Sequence, residues 1–126
     1  MWSLFLGVGS WRWYERGVRP TKLRVRSGSL IERLTFTFSN NRELYGGGHG
    51  GSYSYTRLPS CTTIVLIKSG SLVDAIQFLS QGYETRYYGG SGGGTHVVVA
   101  PRERCLGDIK MKTGSVVYRI CQKFNA

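Results

Sequence analysis

Residues 34–38 read Leu-Thr-Phe-Thr-Phe, a strict alternation of apolar and polar side chains. Successive side chains of a strand point to opposite faces, so a period of two predicts a half-buried β-strand. Leu34, Phe36 and Phe38 should face inward. Lys22-Leu23-Arg24-Val25-Arg26 alternates too, which puts Leu23 and Val25 in the core and three cations in solvent. Gly, Ser-Asn-Asn and Pro punctuate such stretches, and no segment carries a 3.6-residue apolar stripe long enough for a helix. The chain reads as all-β.

The pattern repeats on a longer scale. Residues 22–34, centred on Ser27-Gly28-Ser29, recur as residues 64–76 around Ser69-Gly70-Ser71, and again as 109–120 around Thr113-Gly114-Ser115. The central glycines are 42 and 44 residues apart. A glycine-rich element occurs twice, Tyr45-Gly46-Gly47-Gly48-His49-Gly50-Gly51 and Tyr88-Gly89-Gly90-Ser91-Gly92-Gly93-Gly94. Units of this length cannot bury their apolar faces alone and must share a core. Three units, roughly 1–20 plus 105–126, 21–62 and 63–104, therefore predict one domain over 1–126, a three-sheet prism or trefoil rather than a generic sandwich.

Composition narrows the class. The 126 residues include 18 glycines, about twice the usual share, and only 19% are charged. Collagen, coiled coil and membrane-spanning helices are excluded. The opening Met1-Trp2-Ser3-Leu4-Phe5-Leu6-Gly7-Val8-Gly9 lacks a basic leader and reads as a first strand rather than a signal peptide. A cytoplasmic location is therefore favoured over a secreted one. Cys61, Cys105 and Cys121 are odd in number, widely spaced and free of any CxxC pair. They predict reduced core thiols in preference to a disulfide, and no zinc site.

Two repeated elements carry the candidate chemistry. In Ser69-Gly70-Ser71-Leu72-Val73-Asp74 a tight turn joins two strands, with Gly28 and Gly70 expected at positive φ. Four residues after the glycine, a carboxylate stands beside backbone N–H donors. The carboxylate accepts and the N–H groups donate, a match for sugar hydroxyls, which do both. The same carboxylate can instead cap its own turn. The glycine-rich loop bares its backbone to a ligand, whether phosphate or sugar oxygen. Phosphate is disfavoured, because there is no GxxxxGK[ST] and no following helix. Tyr45, Tyr53, Tyr55, Tyr87 and Tyr88 flank these loops, as ordinary strand residues or as stacking surfaces for sugar C–H faces.

The linked motifs Ser69-Gly70-Ser71-Leu72-Val73-Asp74-Ala75-Ile76 and Glu84-Thr85-Arg86-Tyr87-Tyr88-Gly89-Gly90-Ser91-Gly92-Gly93 resemble the jacalin-related lectins, nearest their mannose-binding and griffithsin-like branch. The resemblance implies a β-prism I fold, three four-stranded Greek-key sheets about a pseudo-threefold axis. About twelve strands follow, with Leu34, Phe36, Phe38, Ile76, Phe78 and Ile120 near the axis. It also implies a metal-free and cofactor-free pocket for mannose- or glucose-type glycans. Carbohydrate-binding residues in the second unit would be Gly70, Leu72, Val73, Asp74, Gly92 and Gly93. A weaker second site would use Leu30, Ile31, Glu32, Gly50 and Gly51, with Glu32 one methylene longer than Asp. In the third unit Tyr118 replaces the acid and Gly7-Val8-Gly9-Ser10 the loop, which predicts no site. Galactose-preferring members carry a processed N-terminal glycine, for which this chain shows no cleavage signal, so mannose or glucose is favoured.

Seventeen Lys+Arg against seven Asp+Glu give a net charge of +10. Clustered charge of this size attracts polyanions. Lys22, Arg24 and Arg26 on one strand face, and Lys110 and Lys112, which repeat the arrangement in the third unit, are candidate anion-binding residues, which makes a binder of sulfated, heparin-like glycans the competing function. No nucleic-acid-binding signature appears. His49 and His96 stand alone in sequence, and no paired carboxylates, nucleophile elbow or Cys/His set supports an enzyme. With one intact acid the chain is nearly monovalent, so a homodimer is expected for crosslinking glycans.

Overall fold

A computed structural model of the chain describes the backbone of Trp2 and Ser3 and residues 18–125. Strand β1 (Trp2–Ser3) belongs to the expected first strand, the rest of which lies outside the described residues, as do Trp11, Trp13 and Gly7-Val8-Gly9-Ser10. The first unit contributes β2 (Pro20–Ser27), β3 (Ile31–Phe38), β4 (Glu43–Gly47) and β5 (Ser52–Arg57). The second contributes β6 (Ile64–Ser69), β7 (Val73–Ser80), β8 (Tyr83–Glu84), β9 (Tyr88–Gly89) and β10 (Gly94–Val99), and the third β11 (Cys105–Thr113) and β12 (Val117–Asn125). No helix occurs among the described residues, and so none is long and apolar enough to cross a membrane.

Three antiparallel sheets result among the described residues. In the first, the order β4-β3-β2-β5 returns the last strand beside the first, which is a Greek key. The second repeats it as β10-β6-β7, with both β8 and β9 paired to β7. Its expected fourth strand is thus broken in two. Between the pieces, Thr85 is buried, and its hydroxyl accepts a hydrogen bond from the Phe78 N–H at 3.1 Å. The third sheet shows β1-β11-β12 among the described residues.

The hairpins β2–β3, β6–β7 and β11–β12 are built alike. Pairing slips between Arg26 and Ser27, between Lys68 and Ser69, and between Lys112 and Thr113. Such bulges bend a strand and re-aim the residues beyond it. The turn then closes with the N–H of Gly28, Gly70 or Gly114 donating to the carbonyl of Leu30, Leu72 or Val116, at 3.0, 3.1 and 2.9 Å. Gly28 and Gly70 do not take the expected positive φ; the glycines that do lie in the glycine-rich loops and at Gly82.

The alternating apolar residues meet in one cluster. Strands β3, β7 and β12 touch one another about its centre, and Leu34, Phe36, Phe38, Ile76, Phe78 and Ile120 are all buried there. Phe36 and Phe78, equivalent residues of two units, pack edge to face with ring centroids 5.8 Å apart.

The cysteines correct the sequence expectation. Cys61 and Cys105 form a disulfide, while Cys121 is a free, half-buried thiol. Cys61 and Cys105 are 44 residues apart, the offset that relates Gly70 to Gly114. They therefore stand at the same distance ahead of the Gly70 and Gly114 turns, one on either side of the second unit, and the fold brings their Cα atoms to 5.0 Å. The neighbouring backbones are already joined, the Leu106 N–H donating to the Thr62 carbonyl at 2.8 Å.

Candidate functional site

In the second unit the bulge at Ser69 and the turn at Gly70 carry the chain into β7, where Val73 is buried and Asp74, the next residue, is half-buried. The glycine-rich loop folds back over this turn. A Cβ built on Gly92 would lie 2.9 Å from Asp74 Oδ1, and one built on Gly93 2.6 Å from Oδ2. The two motifs therefore meet, and only glycine allows it. Gly93 also has φ near +74°, which side-chain-bearing residues seldom adopt. No hydrogen bond to the Asp74 carboxylate is found among the described residues, so it does not cap its own turn. Instead the backbone carbonyl of Asp74 receives the Gly90 N–H at 2.9 Å, which fastens the loop beside the turn. The Tyr87 hydroxyl donates to the Gly90 carbonyl at 2.6 Å and braces the loop from outside. The result is a half-buried carboxylate facing bare backbone, able to accept from two hydroxyls of a ligand while nearby N–H groups donate.

The first unit repeats the arrangement with Glu32. Its carboxylate oxygen Oε1 lies within contact of where a Gly50 Cβ would be, and Gly51 shares the positive φ of Gly93 at +74°. Gly47 and Gly89 match in the same way, at +112° and +111°. These pairs correct the loop alignment by one residue. Tyr45 corresponds to Tyr87 and Gly46 to Tyr88, which is buried. The longer Glu32 side chain still reaches the loop, but it occupies the space that Asp74 leaves open. Glu32→Gln is therefore expected to lower glycan affinity less than twofold or so, within the scatter of surface substitutions; isothermal calorimetry with a monosaccharide would check this.

Comparison with solved structures returns matches over nearly the whole chain. A mannose-binding jacalin-related lectin of Ananas comosus superposes with a TM-score of 0.74 at 19% identity, covering 94% of this chain and 95% of the other. Artocarpin in complex with methyl-α-mannose gives 0.75 at 13% identity, over 94% and 96%. A galactose-specific lectin of Artocarpus hirsuta, in complex with methyl-α-galactose, gives 0.71 at 10%, over 91% and 99%. The fold is that of the jacalin-related lectins. No protein-family model matches the sequence, and no curated protein matches it either.

Within that jacalin-type frame the third unit differs, as its sequence suggests. Tyr118 holds the position of the acid, and its ring fills the space above Gly114, 2.8 Å from where a Cβ would stand. The N-terminal loop expected to face it lies outside the described residues.

The basic candidates separate. Lys22, Arg24 and Arg26 lie on β2 and Lys110 and Lys112 on β11, which belong to different sheets. Arg24 is engaged by Glu43 at 2.5 Å. What β2 does meet is Arg33 on β3, directly opposite Arg26, with Tyr45 and Tyr53 on the strands to either side. Arg33 is the member of this group that the pattern of basic residues along the chain does not single out. Arg33 continues the outward alternation of β3, and the register shift between Arg26 and Ser27 brings it opposite Arg26. His49 and His96 are both exposed, and no three His, Cys, Asp or Glu side chains converge among the described residues.

Proposed function

We propose that this protein is a lectin that binds mannose- or glucose-type glycans at the second unit. Asp74 accepts hydrogen bonds from two adjacent sugar hydroxyls. The N–H groups of Leu72 and Val73 donate to ring and exocyclic oxygens, and an N–H at Gly92 or Gly93 donates to a further hydroxyl. The observation that carries this reading is the Asp74 carboxylate, held against a glycine loop with no hydrogen-bond partner among the described residues. A half-buried anion left unpaired by its own fold is suited to a ligand that brings donors. The lectins of Ananas comosus and Artocarpus named above bind mannose or galactose on the same frame; the mannose preference follows the pineapple protein and artocarpin. Leu72 supplies an aliphatic side to the pocket in place of an aromatic ring.

A homodimer supplies the second site that glycan crosslinking needs. The Cys61–Cys105 bond favours an oxidising compartment over the cytoplasmic location suggested by the N-terminal sequence. A glycan array tests the specificity: mannosides and glucosides should bind, and a response confined to galactosides would overturn it.

A further inference from the structure

The outward faces of the sheets built by the first two units differ in kind. Gly28 and Gly70 are 42 residues apart, and the same offset relates Gly51 to Gly93. By that offset Lys22, Arg24, Thr37, Tyr55 and Arg57 of the first sheet become Ile64, Leu66, Leu79, Val97 and Val99 of the second. Strand pairing bears out the equivalence. Lys22 stands opposite Arg57 as Ile64 does opposite Val99, and Arg24 opposite Tyr55 as Leu66 does opposite Val97. The aliphatic residues point away from the core, because their alternating neighbours Val65, Ile67 and Phe78 are buried in it. They form adjoining rows, Val99-Ile64-Leu79 and Val97-Leu66-Gln77. Val97 and Val99 are 56% and 63% exposed, on an edge strand paired only to β6 among the described residues. Contiguous exposed apolar surface of this kind marks an interaction site. We propose that a second copy of the chain docks on this face. The proposal locates the interface of the homodimer, and it rests on the lectin reading only for the dimer's use in crosslinking.

Charge selects the occupant. At a net charge of +10, two copies repel each other. The first sheet sets Lys22, Arg24, Arg26 and Arg57 on its outward face, so a second copy laid there would meet its own cations. The second sheet keeps Lys68 at the end of the face nearest the Gly70 turn and carries Glu84 beside Leu79 at the other, one charge of each sign. An acidic protein or an anionic membrane would be held best by the cationic faces. The face that has aliphatic residues in place of those cations suits a partner that is itself cationic.

Shape agrees with a second copy. A two-fold contact uses the same patch on both subunits, so that patch must complement itself. The second sheet has its exposed valines at the β10 edge. At the opposite edge lies a groove of about 360 Å³, lined by Leu79, Ser80, Gly82, Tyr83 and Glu84. Val99, Ile64, Leu79 and Glu84 share one row across the sheet. A two-fold axis running along the strands, between two copies laid face to face, carries Val99 of each over the Leu79 groove of the other. Six residues of β10 at ~3.3 Å each, on strands ~4.8 Å apart, make a face of roughly 20 Å by 15 Å. That is smaller than the ~800 Å² per partner of a standard interface, which predicts a reversible dimer.

The test uses the full chain without glycan, at ~0.15 M salt, where exposed charges are screened beyond ~8 Å. Sedimentation velocity reads the oligomeric state. The parent is expected to pass from monomer to dimer between about 1 and about 100 µM, the range of a small contact. Leu66→Arg with Val99→Arg installs the residues that the first sheet carries as Arg24 and Arg57, and should raise the midpoint concentration at least tenfold. Val97→Ser with Val99→Ser leaves the charge unchanged and should raise it severalfold. A parent that stays monomeric throughout overturns the proposal, as does an arginine variant that dimerises like the parent. Dissociation by the arginines but not by the serines would show a net-charge effect and overturn it too. Flotation with vesicles of phosphatidylcholine, alone or with phosphatidylserine, tests another occupant: a monomeric parent that floats only with Val97 and Val99 intact overturns the proposal in favour of lipid. Should the arginine variant fail to fold by circular dichroism, the serine variant decides. Mannoside titration should be alike in all of these proteins, since none alters the Asp74 pocket. A dimer that binds no mannoside would sink the lectin reading and leave the interface standing, so the two fail separately.

Discussion

Replacing Asp74 by Asn is expected to lower affinity for mannosides about a hundredfold and leave melting nearly unchanged. Asn has the same size but offers one acceptor oxygen and a donor in place of two acceptors. It also removes the charge assistance that roughly doubles the strength of a carboxylate hydrogen bond. Losing two such contacts with a neutral ligand costs ~2–3 kcal/mol. Stability should move by no more than ~0.5 kcal/mol, because no hydrogen bond within the described protein depends on this carboxylate. Glycan titration and thermal melting on one preparation separate these outcomes. A variant that binds as well as the parent, or that no longer folds, would falsify the assignment of Asp74 as a sugar ligand. Charge is the discriminating quantity, and Asp74→Glu, which keeps the charge but fills the space beside Gly92 and Gly93, should fall between the two.

Opening the Cys61–Cys105 bond should be the largest single loss of stability available without touching the core. The bond closes a loop of 44 residues that contains nearly all of the second unit. Loop-closure entropy for that length corresponds to about 4 kcal/mol at 25 °C in the chain-entropy model. For a chain of 126 residues this is a fall in melting temperature of roughly 15 °C. Scanning calorimetry with and without reductant measures it, and Cys121→Ser serves as the control for the free thiol. Glycan binding well below the melting range should survive, since the whole length of β6 separates Cys61 from the turn at Gly70. A melting temperature indifferent to reductant would mean that the bond contributes nothing in solution.

Much of this architecture was legible in the chain itself. Strand faces depend on a local rule, alternate side chains on opposite sides, so Leu34, Phe36 and Phe38 identified their own burial. The repeat offset identified Ile76 and Phe78 as their partners, and the pairing of the acidic turn with the glycine loop came from the resemblance to the jacalin-related lectins. Less legible was anything that depends on which strands become neighbours. The disulfide illustrates this: judged by linear spacing, Cys61 and Cys105 look remote, yet the repeat offset makes them adjacent at the junction of two units. Glycine conformations were misassigned for a related reason. A turn at Gly28 or Gly70 is satisfied by a bulge before it, and the positive φ falls where the loop must approach a carboxylate.

The sequence by itself determined the all-β class, the threefold repeat and the core residues, all of which rest on local periodicity or on motifs copied along the chain. Its resemblance to the jacalin-related lectins pointed to Asp74 beside Gly92 and Gly93, and the folded loop brings them together. Only the tertiary structure decided that Cys61 meets Cys105, that Arg33 joins Arg26, and that Tyr45 and Tyr53 wall a groove around them. Local pattern states which face of a strand a residue occupies. Which other faces it meets is set by strand order, and in a Greek key that order departs from the order of the chain.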